Sequence, residues 1–468
     1  MMAKLLIVLS SDIYVRNYLR TDALTQLELR HDCHFIADAS LSLSAEVSER
    51  SGFESLFALD RVSDARHQLL FNLLMWKYRK KSRTFFYRWM RNAQWHTVDR
   101  SHGLGKKVSS GLRWLISAAA NPLGLRIPLL GSRLLFPLVS RFLKRRLPIN
   151  ADLACLIESG KYDAIIFPSA GFDSVTVDVI KIAAKNGIPS ICLIDNWDNL
   201  SSKTVFWVKP DYLAVWGEQT RQQALSIHSF NEGEVRAIGT PRFGQYFEAR
   251  EIKLHTKPYS FPYILFVGSA MPFDEISALH EIERGLSLNN SVPSDLRVVY
   301  RPHPWQQKRQ TSAVFNASQF SRTILDLQIS QAYAEGQTPE IAGTSFQPKL
   351  DYYPSLLVGA ECVVGPLTTM LLEATLCLRP VVALNYHDGF HSNTSLRYFS
   401  HFDGAESIPG FKFCESASEL GGMLVSAVNS DPPGAQESDR ETSFFIFHSK
   451  KGYPRELLDF VNYALKKS

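Results

Sequence analysis

Residues 362–374 read CVVGPLTTMLLEA, which indicates a buried strand that turns into a helix. The apolar run stops at Gly-Pro, and two threonines stand where a helical pattern begins. Residues 296–304, LRVVYRPHP, likewise end an apolar run in polar residues. Because ligands of open α/β sheets bind beyond the carboxyl ends of the strands, the two strings predict half of a nucleotide monophosphate or diphosphate site.

Five polar residues of these strings have predicted roles in that site. Arg301 and His303 could each donate hydrogen bonds to phosphate, and His303 could also help a leaving group to depart. The hydroxyl groups of Thr368 and Thr369 could bind phosphate together with the first N–H groups of the helix. Glu373 lies one turn later on the same helix face as Thr369, where a carboxylate could hold ribose hydroxyls.

Gly268 and Ser269 follow another apolar run, residues 263–267, and add a third part to the predicted nucleotide site. A glycine at this place allows a phosphate to approach the backbone closely. Each signal also has a simpler interpretation: a plain turn for the Gly-Ser pair, a solvated loop for the arginine and histidine, and helix capping for the threonines. The combination of the strings favours a nucleotide.

The first half of the chain has one string rich in polar groups, DNWDNLSSK at residues 195–203, directly after an apolar run. Asp195 or Asp198 could act as a general base that deprotonates an acceptor hydroxyl. Trp197 could form an aromatic platform for a sugar, and the amides of Asn196 and Asn199 could make its polar contacts. The alternative interpretation is an Asx-rich turn with no chemical role.

The spacing of these carboxylates does not select one base. Asp12 and Asp173 stand at similar loop positions and are rival bases, and Asp195 with Asp198 could form the paired carboxylates of a hydrolase. No Asp-x-Asp metal motif occurs in the sequence. We therefore expect no metal and no cofactor.

Strand and helix signals alternate along most of the chain, which indicates parallel βαβ units. We predict two Rossmann-like α/β domains, residues 1–250 and 251–450, and a terminal helix at 451–468 that packs back across. Residues 13–28 are predicted to form one helix, and residues 431–442 a loop. No Gly-x-Gly-x-x-Gly follows the first apolar run and the Walker phosphate loop is missing, which disfavours a dehydrogenase.

Residues from about 45 to 146 show no strand signal and are predicted to form a basic, mainly helical insertion in the N-terminal domain. From Lys77 to Arg146 there are 17 Lys and Arg against one acid, Asp99, so the net charge of +5 hides an acidic remainder. Aromatic residues and leucines lie between the cations, which suits an anionic membrane surface. A solvated insertion is the alternative, and we expect no nucleic-acid partner because no such module is visible.

The six cysteines are scattered without paired spacing, which indicates reduced core residues of a cytoplasmic protein and makes a zinc site improbable. The sequence has no apolar run of the length that a membrane-spanning helix needs. Together with the basic region, these features predict a cytoplasmic protein that is peripheral on the inner face of the cell membrane.

Three strings carry a resemblance to a known family: Arg-x-His-Pro at 301–304, Gly-x-x-Thr-Thr-x-x-x-Glu-Ala at 365–374, and Arg-Pro-Val-Val at 379–382. They resemble the nucleotide-binding half of GT-B glycosyltransferases of bacterial surface polysaccharides, and are similar to motifs of CDP-glycerol glycerophosphotransferases and of sialyl- and Kdo-transferases. Gly-Thr-Pro-Arg-Phe at 239–243 also looks like UDP-N-acetylglucosamine 2-epimerases, which share the fold. Asp-Asn-Trp-Asp-Asn-Leu at 195–200 looks like a string found in surface-carbohydrate biosynthesis proteins. The likeness covers about residues 160–390, with Thr-Thr where serines are usual.

The resemblance implies a metal-independent transferase that moves a sugar from a nucleotide-activated donor to a growing, lipid-linked surface glycan such as a capsule or O-antigen. Arg301, His303, Thr368, Thr369 and Glu373 would hold the donor nucleotide, and a carboxylate of the first domain would act on the acceptor. Two alternatives stay open: a UDP-sugar 2-epimerase or hydrolase, and a non-catalytic nucleotide-sugar-binding protein.

Overall fold

The computed structural model of the chain describes residues 2–39, 41, 52–58, 61–92, 127–251, 257–269, 271, 273–303, 315–329, 352–388 and 398–467. The chain forms two compact units. Unit 1 comprises Met1–Arg242 together with Ser443–Ser468, and unit 2 comprises Phe243–Thr442.

The strands of unit 1 are β1 (Lys4–Leu9), β2 (Asp32–Asp38), β3 (Phe53–Phe57), β4 (Ala164–Ser169), β5 (Ser190–Ile194), β6 (Tyr212–Val215) and β7 (Val235–Ala237). They form a seven-stranded parallel sheet in the order β3-β2-β1-β4-β5-β6-β7. The chain order reverses between β1 and β4, which is the topological switch point of a doubly wound sheet.

The described helices of unit 1 are α1 (Asp12–Tyr14), which continues as a π-helix (Val15–Leu19), α2 (Thr25–Glu28), α3 (Arg61–Tyr78), α4 (Arg83–Asn92), α5 (Ile127–Leu130), α6 (Phe136–Arg145), α7 (Ala151–Gly160), α8 (Ser174–Asn186), α9 (Asn199–Ser202), α10 (Glu218–His228) and, at the end of the chain, α17 (Tyr453–Lys467). Most of them are amphipathic connections between parallel strands, as βαβ units require.

The strands of unit 2 are β8 (Tyr263–Val267), β9 (Arg297–Arg301), β10 (Thr323–Leu325), β11 (Cys362–Pro366), β12 (Val381–Leu384) and β13 (Phe411–Cys414). They form a six-stranded parallel sheet in the order β10-β9-β8-β11-β12-β13, with a switch point between β8 and β11. Its described helices are α11 (Gly244–Glu251), α12 (Glu275–Ser287), α13 (Tyr352–Gly359), α14 (Thr369–Leu376), α15 (Leu420–Val428) and α16 (Ala435–Thr442).

Single 3-10 turns lie at Glu232–Glu234, Pro241–Phe243, Ala317–Gln319, Ser400–Phe402, Ala405–Ser407 and Ala417–Glu419.

Alternate residues of β1 point to opposite faces of the sheet, and both faces are covered. Leu5 and Ile7 pack in one apolar cluster with residues of α17, whereas Leu6 and Val8 pack in another with residues of α7 and α8. A parallel sheet that is buried on both faces needs continuous apolar strands, which is what the sequence shows. The predicted class of two Rossmann-like α/β domains is therefore confirmed.

Three local predictions were wrong. The strand β3 lies within a stretch predicted to have none; at the edge of the sheet it carries Glu54 and Ser55, so its apolar signal is weak. The helix predicted for residues 13–28 breaks after the π-helix, where the hydroxyl of Thr21 donates to the carbonyl oxygen of Asn17 over 2.6 Å. The loop predicted for residues 431–442 contains α16, which an ion pair of Asp439 with Arg250 holds in place.

The predicted basic insertion is described only in part. Helices α3, α4, α5 and α6 fall within it, whereas residues 93–126 lie outside the described residues. The insertion as a whole stays a prediction.

The packing of α17 on β1 predicts that Leu457→Ala destabilises unit 1. Leu457 is wholly buried, so the cavity should lower the free energy of unfolding by about 2–5 kcal/mol. Seven of the eight tryptophans lie in unit 1 and one, Trp305, in unit 2, so tryptophan fluorescence during urea denaturation reports mainly on unit 1.

Lys466→Ala, at an exposed position of the same helix, is the matched control and should change the free energy by less than about 0.5 kcal/mol. An unchanged midpoint for Leu457→Ala would show that α17 does not contribute to the core of unit 1.

Candidate functional site

Three neighbouring strands of unit 2 end at the same edge of the sheet, and the polar strings of the sequence follow all three. Strands β9, β8 and β11 lie side by side and run parallel. Gly268 follows β8, His303 lies beyond β9, and Thr368 lies beyond β11. The structure thus brings the three predicted parts of the nucleotide site together at the switch point of the sheet.

Gly268 is packed too tightly to carry a side chain. Its N–H donates to the carbonyl oxygen of Arg301 over 2.8 Å. A Cβ atom here would lie 2.7 Å from the backbone nitrogen of His303 and 2.8 Å from Oε2 of Glu275. The glycine therefore allows the loops after β8 and β9 to touch, and this contact fixes where His303 stands.

Glu275, which the sequence did not single out, ties these loops together. Its carboxylate is wholly buried at the start of α12, where Oε1 accepts the N–H of Ser269 over 2.9 Å and Oε2 accepts the hydroxyl of Tyr300 over 2.6 Å. Burial raises the pKa of Glu275 to about 7, although both hydrogen bonds and the charge of Arg301 act in the opposite direction. Ser269 is buried too, and its hydroxyl accepts the N–H of Met271 over 3.0 Å, so this serine shapes the loop.

The guanidinium of Arg301 lies inside unit 2. The residue is 6% exposed; its Nη2 donates to the hydroxyl of Tyr353, and the guanidinium lies 4.9 Å from the centre of that ring. Burial lowers the pKa of Arg301, but Tyr353, Asp326 and Glu373 together raise it above its ordinary value. In place of the predicted direct contact with phosphate, Arg301 supplies a buried positive charge beneath the edge of the sheet.

Glu373 is also an interior residue and not an exposed ribose ligand. It is wholly buried, and its Oε2 accepts the hydroxyl of Tyr246 over 2.7 Å. Tyr246 belongs to α11, so this bond joins α11 to α14 within unit 2. The predicted contact with ribose is corrected on this ground: no part of the carboxylate is open to a ligand in this structure.

The two threonines and His303 keep their side chains at the surface, and all three are half-buried. Thr368 occupies the N-cap position of α14 in an extended backbone conformation, yet its hydroxyl makes no capping hydrogen bond. Capping therefore does not explain Thr368. Two hydroxyl groups and an imidazole beside a helix N-terminus form a chemically suitable cradle for a phosphate group.

Asp195 begins the corresponding edge of unit 1, directly after β5. Its N–H donates to the carbonyl oxygen of Ser169 at the end of β4 over 3.1 Å. Burial raises the pKa of this half-buried carboxyl, while the positive charges of Lys203, Arg242 and Arg16 act to lower it. A carboxylate with a raised pKa can accept a proton. The three positive charges that act on it would also offset its repulsion of an anionic ligand.

The other residues of the polar string are held by the protein itself. Asp198 pairs with Lys203 at 3.6 Å and accepts the hydroxyl of Ser202 over 3.0 Å, so it orders the turn. Trp197 is 1% exposed and meets the ring of Phe445 edge to face at 6.1 Å. Asn199 is wholly buried at the start of α9. The predicted platform at Trp197 and contact at Asn199 are therefore corrected to interior roles.

Asn196 remains half-buried at the surface, with its Oδ1 accepting the N–H of Trp197 over 3.0 Å.

The rival base Asp173 is occupied as a helix cap. Its Oδ1 accepts the N–H of Thr176 over 2.7 Å, and its Oδ2 accepts hydroxyl groups of Ser169 and Thr176 at 2.7 and 2.8 Å. Asp12 lies in the first turn of α1. The contacts of Asp173 favour Asp195 over it as a proton acceptor, and Asp12 stays a rival base.

Within the described ranges, no group of three or more His, Cys, Asp or Glu side chains has the arrangement of a metal site. None of the described helices is both long enough and apolar enough to cross a membrane.

The sequence analysis missed residues whose role depends on distant partners. Glu275 looks like an ordinary acid in the first turn of a helix, and its burial against Ser269 and Tyr300 leaves no local signal. Arg242 belongs to the Gly-Thr-Pro-Arg-Phe string at 239–243, and the resemblance of that string was the one sequence signal that could have identified it as a site residue. Arg16 lies on the π-helix, and π-helical turns are often found at functional sites.

The buried carboxyl of Glu275 predicts a specific pH dependence of stability. Its pKa rises from an ordinary 4.5 to about 7 on folding. Between those values the folded protein holds a proton that the unfolded chain has lost, so stability falls as pH rises and levels off above about pH 7. The total loss should be on the order of 3 kcal/mol.

Glu275→Gln should remove this component from urea denaturation curves recorded by circular dichroism at several pH values. Glu281→Gln on the same helix is the control and should keep it. Equal pH slopes for wild type and Glu275→Gln would contradict the assignment.

No protein-family model matches the sequence, and no similar curated protein is found. Solved structures do match over the whole chain. The UDP-GlcNAc 2-epimerase of Methanocaldococcus jannaschii superposes with a TM-score of 0.52 at 11% identity, over 98% of this chain and 99% of that one. A further UDP-N-acetylglucosamine 2-epimerase gives 0.51 at 11% identity, over 100% and 97% of the two chains. At such low identity the likeness shows the fold alone, which is two Rossmann-like domains of the GT-B kind.

Proposed function

We propose that this protein is a GT-B glycosyltransferase in which unit 2 binds a nucleotide-activated sugar and unit 1 binds the acceptor. The observation that carries the proposal is the convergence of His303, Thr368 and Thr369 at the switch point of the second sheet. Accessible hydroxyl groups, an imidazole and a helix N-terminus suit a diphosphate or monophosphate, which such a donor presents.

The leaving nucleotide must gain stabilisation as its bond to the sugar breaks. The partial positive charge at the N-terminus of α14 and the hydroxyl groups of Thr368 and Thr369 would stabilise the phosphate oxygens. His303 would donate a hydrogen bond to the departing phosphate. The buried charge of Arg301 would add a positive potential from beneath without touching the ligand.

Activation of the acceptor falls to unit 1. Asp195 would take the proton from an acceptor hydroxyl. At the same time the oxygen of that hydroxyl would form the new bond to the anomeric carbon of the sugar, and the bond from that carbon to the phosphate oxygen would break. Asn196 stands next to this base at the surface. The positive charges of Lys203, Arg242 and Arg16 act on Asp195, so an acceptor with an anionic group would suit this edge.

The acceptor we propose is a growing surface glycan on a lipid carrier. The support for this choice is the resemblance of the Asp-Asn-Trp-Asp-Asn-Leu string to surface-carbohydrate biosynthesis proteins and the basic, aromatic region of the chain.

A UDP-sugar 2-epimerase is the second candidate, because the two matching structures above carry that activity in their names. The two functions differ in their need for an acceptor. Incubation with UDP-N-acetylglucosamine alone would yield an epimer or free UDP from an epimerase or hydrolase, and neither from a strict transferase. Binding of the nucleotide-activated sugar without any reaction, whether or not an acceptor is present, would indicate a non-catalytic binding protein.

The threonine pair provides the test of the nucleotide site. Thr368→Val with Thr369→Val keeps the shape of both side chains but removes two hydroxyl donors to a charged group, so the Kd for the bound nucleotide should rise at least about tenfold. Isothermal titration calorimetry with UDP, CDP, CMP and GDP measures this change in Kd and identifies the nucleobase that the site prefers.

Thr368→Ser with Thr369→Ser keeps the hydroxyl groups and is the matched control, expected within about threefold of wild type. Equal affinity of the valine and serine variants would remove these residues from the site, and absence of binding by the wild-type protein would contradict the proposal itself.

The proposed base gives a prediction for the pH profile of transfer. Burial raises the pKa of Asp195, so activity should rise with pH through a midpoint above that of an ordinary aspartate as the base loses its proton. Asp195→Asn should lower the rate of transfer by about 10²–10⁴-fold while leaving the nucleotide Kd unchanged.

Asp198→Asn is the control for Asp195→Asn, because Asp198 is engaged by Lys203 and Ser202. It should retain most of the activity. A larger loss of activity in Asp198→Asn than in Asp195→Asn would exchange the roles of the two residues.

A further inference from the structure

Helix α6 and the turn before it expose a row of large apolar side chains. Leu134, Leu138 and Phe142 are 85%, 67% and 54% exposed. A spacing of four residues places Leu138 and Phe142 on one face of the helix, and Leu134 lies in the turn before it. Leu129, in the preceding helix α5, is 62% exposed. Water is a poor environment for four such side chains within 14 residues, so this surface is suited to an apolar partner.

The opposite face of α6 anchors the helix to unit 1. Leu143 and Leu147 are buried in an apolar cluster with Leu70 and Leu73 of α3, and Val139 packs against the same cluster. The helix is therefore packed on unit 1, and the exposed row is the face that it turns to solvent. The helix is held by one face and presents the other.

Exposed cations lie beside the exposed row. Arg133, Arg141, Lys144 and Arg145 are all exposed. The chain contains no Asp or Glu at all from residue 100 to residue 151. This face therefore combines a narrow apolar strip with positive charge.

We propose that this face of α6, defined by Leu129, Leu134, Leu138 and Phe142 with the bordering cations, docks on an anionic lipid bilayer. The charges fit acidic headgroups, and the apolar strip fits the boundary with the acyl chains, where such helices lie about 5–10 Å deep. Nucleic acid would satisfy the charges but offers no apolar phase for the strip. The docking does not rest on the proposed transferase activity.

The first test uses the wild-type chain and vesicles of stated composition. Co-sedimentation should be strong with phosphatidylcholine vesicles that contain about one third phosphatidylglycerol, and weak with phosphatidylcholine alone. Binding to the anionic vesicles should weaken steeply as salt rises, because exposed charges are screened. Equal binding to both vesicle types, or none to either, would overturn the proposal.

Surface variants then locate the docking face. Leu138→Ser with Phe142→Ser should lower the vesicle partition coefficient at least about tenfold, since two large apolar groups no longer enter the bilayer. Leu288→Ser, which changes a residue 77% exposed on unit 2, is the matched control and should bind like wild type. Because all three positions are exposed, their thermal midpoints should stay unchanged.

Charge variants test the bordering cations. Arg141→Gln with Arg145→Gln should weaken binding by about five-fold per charge at low salt. Lys466→Gln with Lys467→Gln removes the same charge from exposed positions of α17 and should have little effect. Equal losses in the two pairs would show that only net charge matters and would reject a defined face. A dimer in gel filtration that the serine variants dissociate would replace the bilayer with a second copy of the chain.

Discussion

Strands β8 and β11 can approach each other this closely at their ends only because residue 365 is glycine. A Cβ atom there would stand 2.1 Å from the carbonyl oxygen of Val267, which no packing adjustment of a side chain relieves. This contact comes where the chain order of the second sheet reverses, so the directions in which both strands leave the sheet depend on it. Thr368 and Thr369 reach the edge beside Gly268 because the strands are this close.

Beneath that edge, unit 2 contains an unusual amount of buried charge. Arg301, Glu275, Asp326 and Glu373 are each at most 6% exposed, and tyrosine hydroxyl groups meet all four. A buried charge is tolerated only where partners replace the lost water. The tyrosines act as such partners, and they help to fix the position of the edge.

The sequence predicted regular elements well where apolar runs were continuous. The bounds of β8 agree residue by residue with the apolar run at 263–267. Strand β3 was missed because it is short and carries polar residues at a sheet edge. Helix α16 was missed because the contacts that it makes, among them the ion pair of Asp439 with Arg250, are remote in sequence.

The candidate site was predictable in place but not in detail. Strand ends and a helix start identify the edge, and these are local signals. Whether a polar side chain turns outward, as at Thr368, or inward, as at Arg301 and Glu373, is decided by tyrosines far away in the chain, which no local pattern reveals.

The chain returns to unit 1 for its last residues, and this has a consequence for biogenesis. Leu5 and Ile7 of the first strand share their core with Leu457 and Val461 near the end of the chain. Synthesis must therefore continue through the whole of unit 2 before the two segments of unit 1 can pack together, whereas unit 2 is one continuous segment. Until then, the part of the first sheet that α17 covers remains exposed, so unit 1 is open to aggregation and to chaperones while unit 2 is being made.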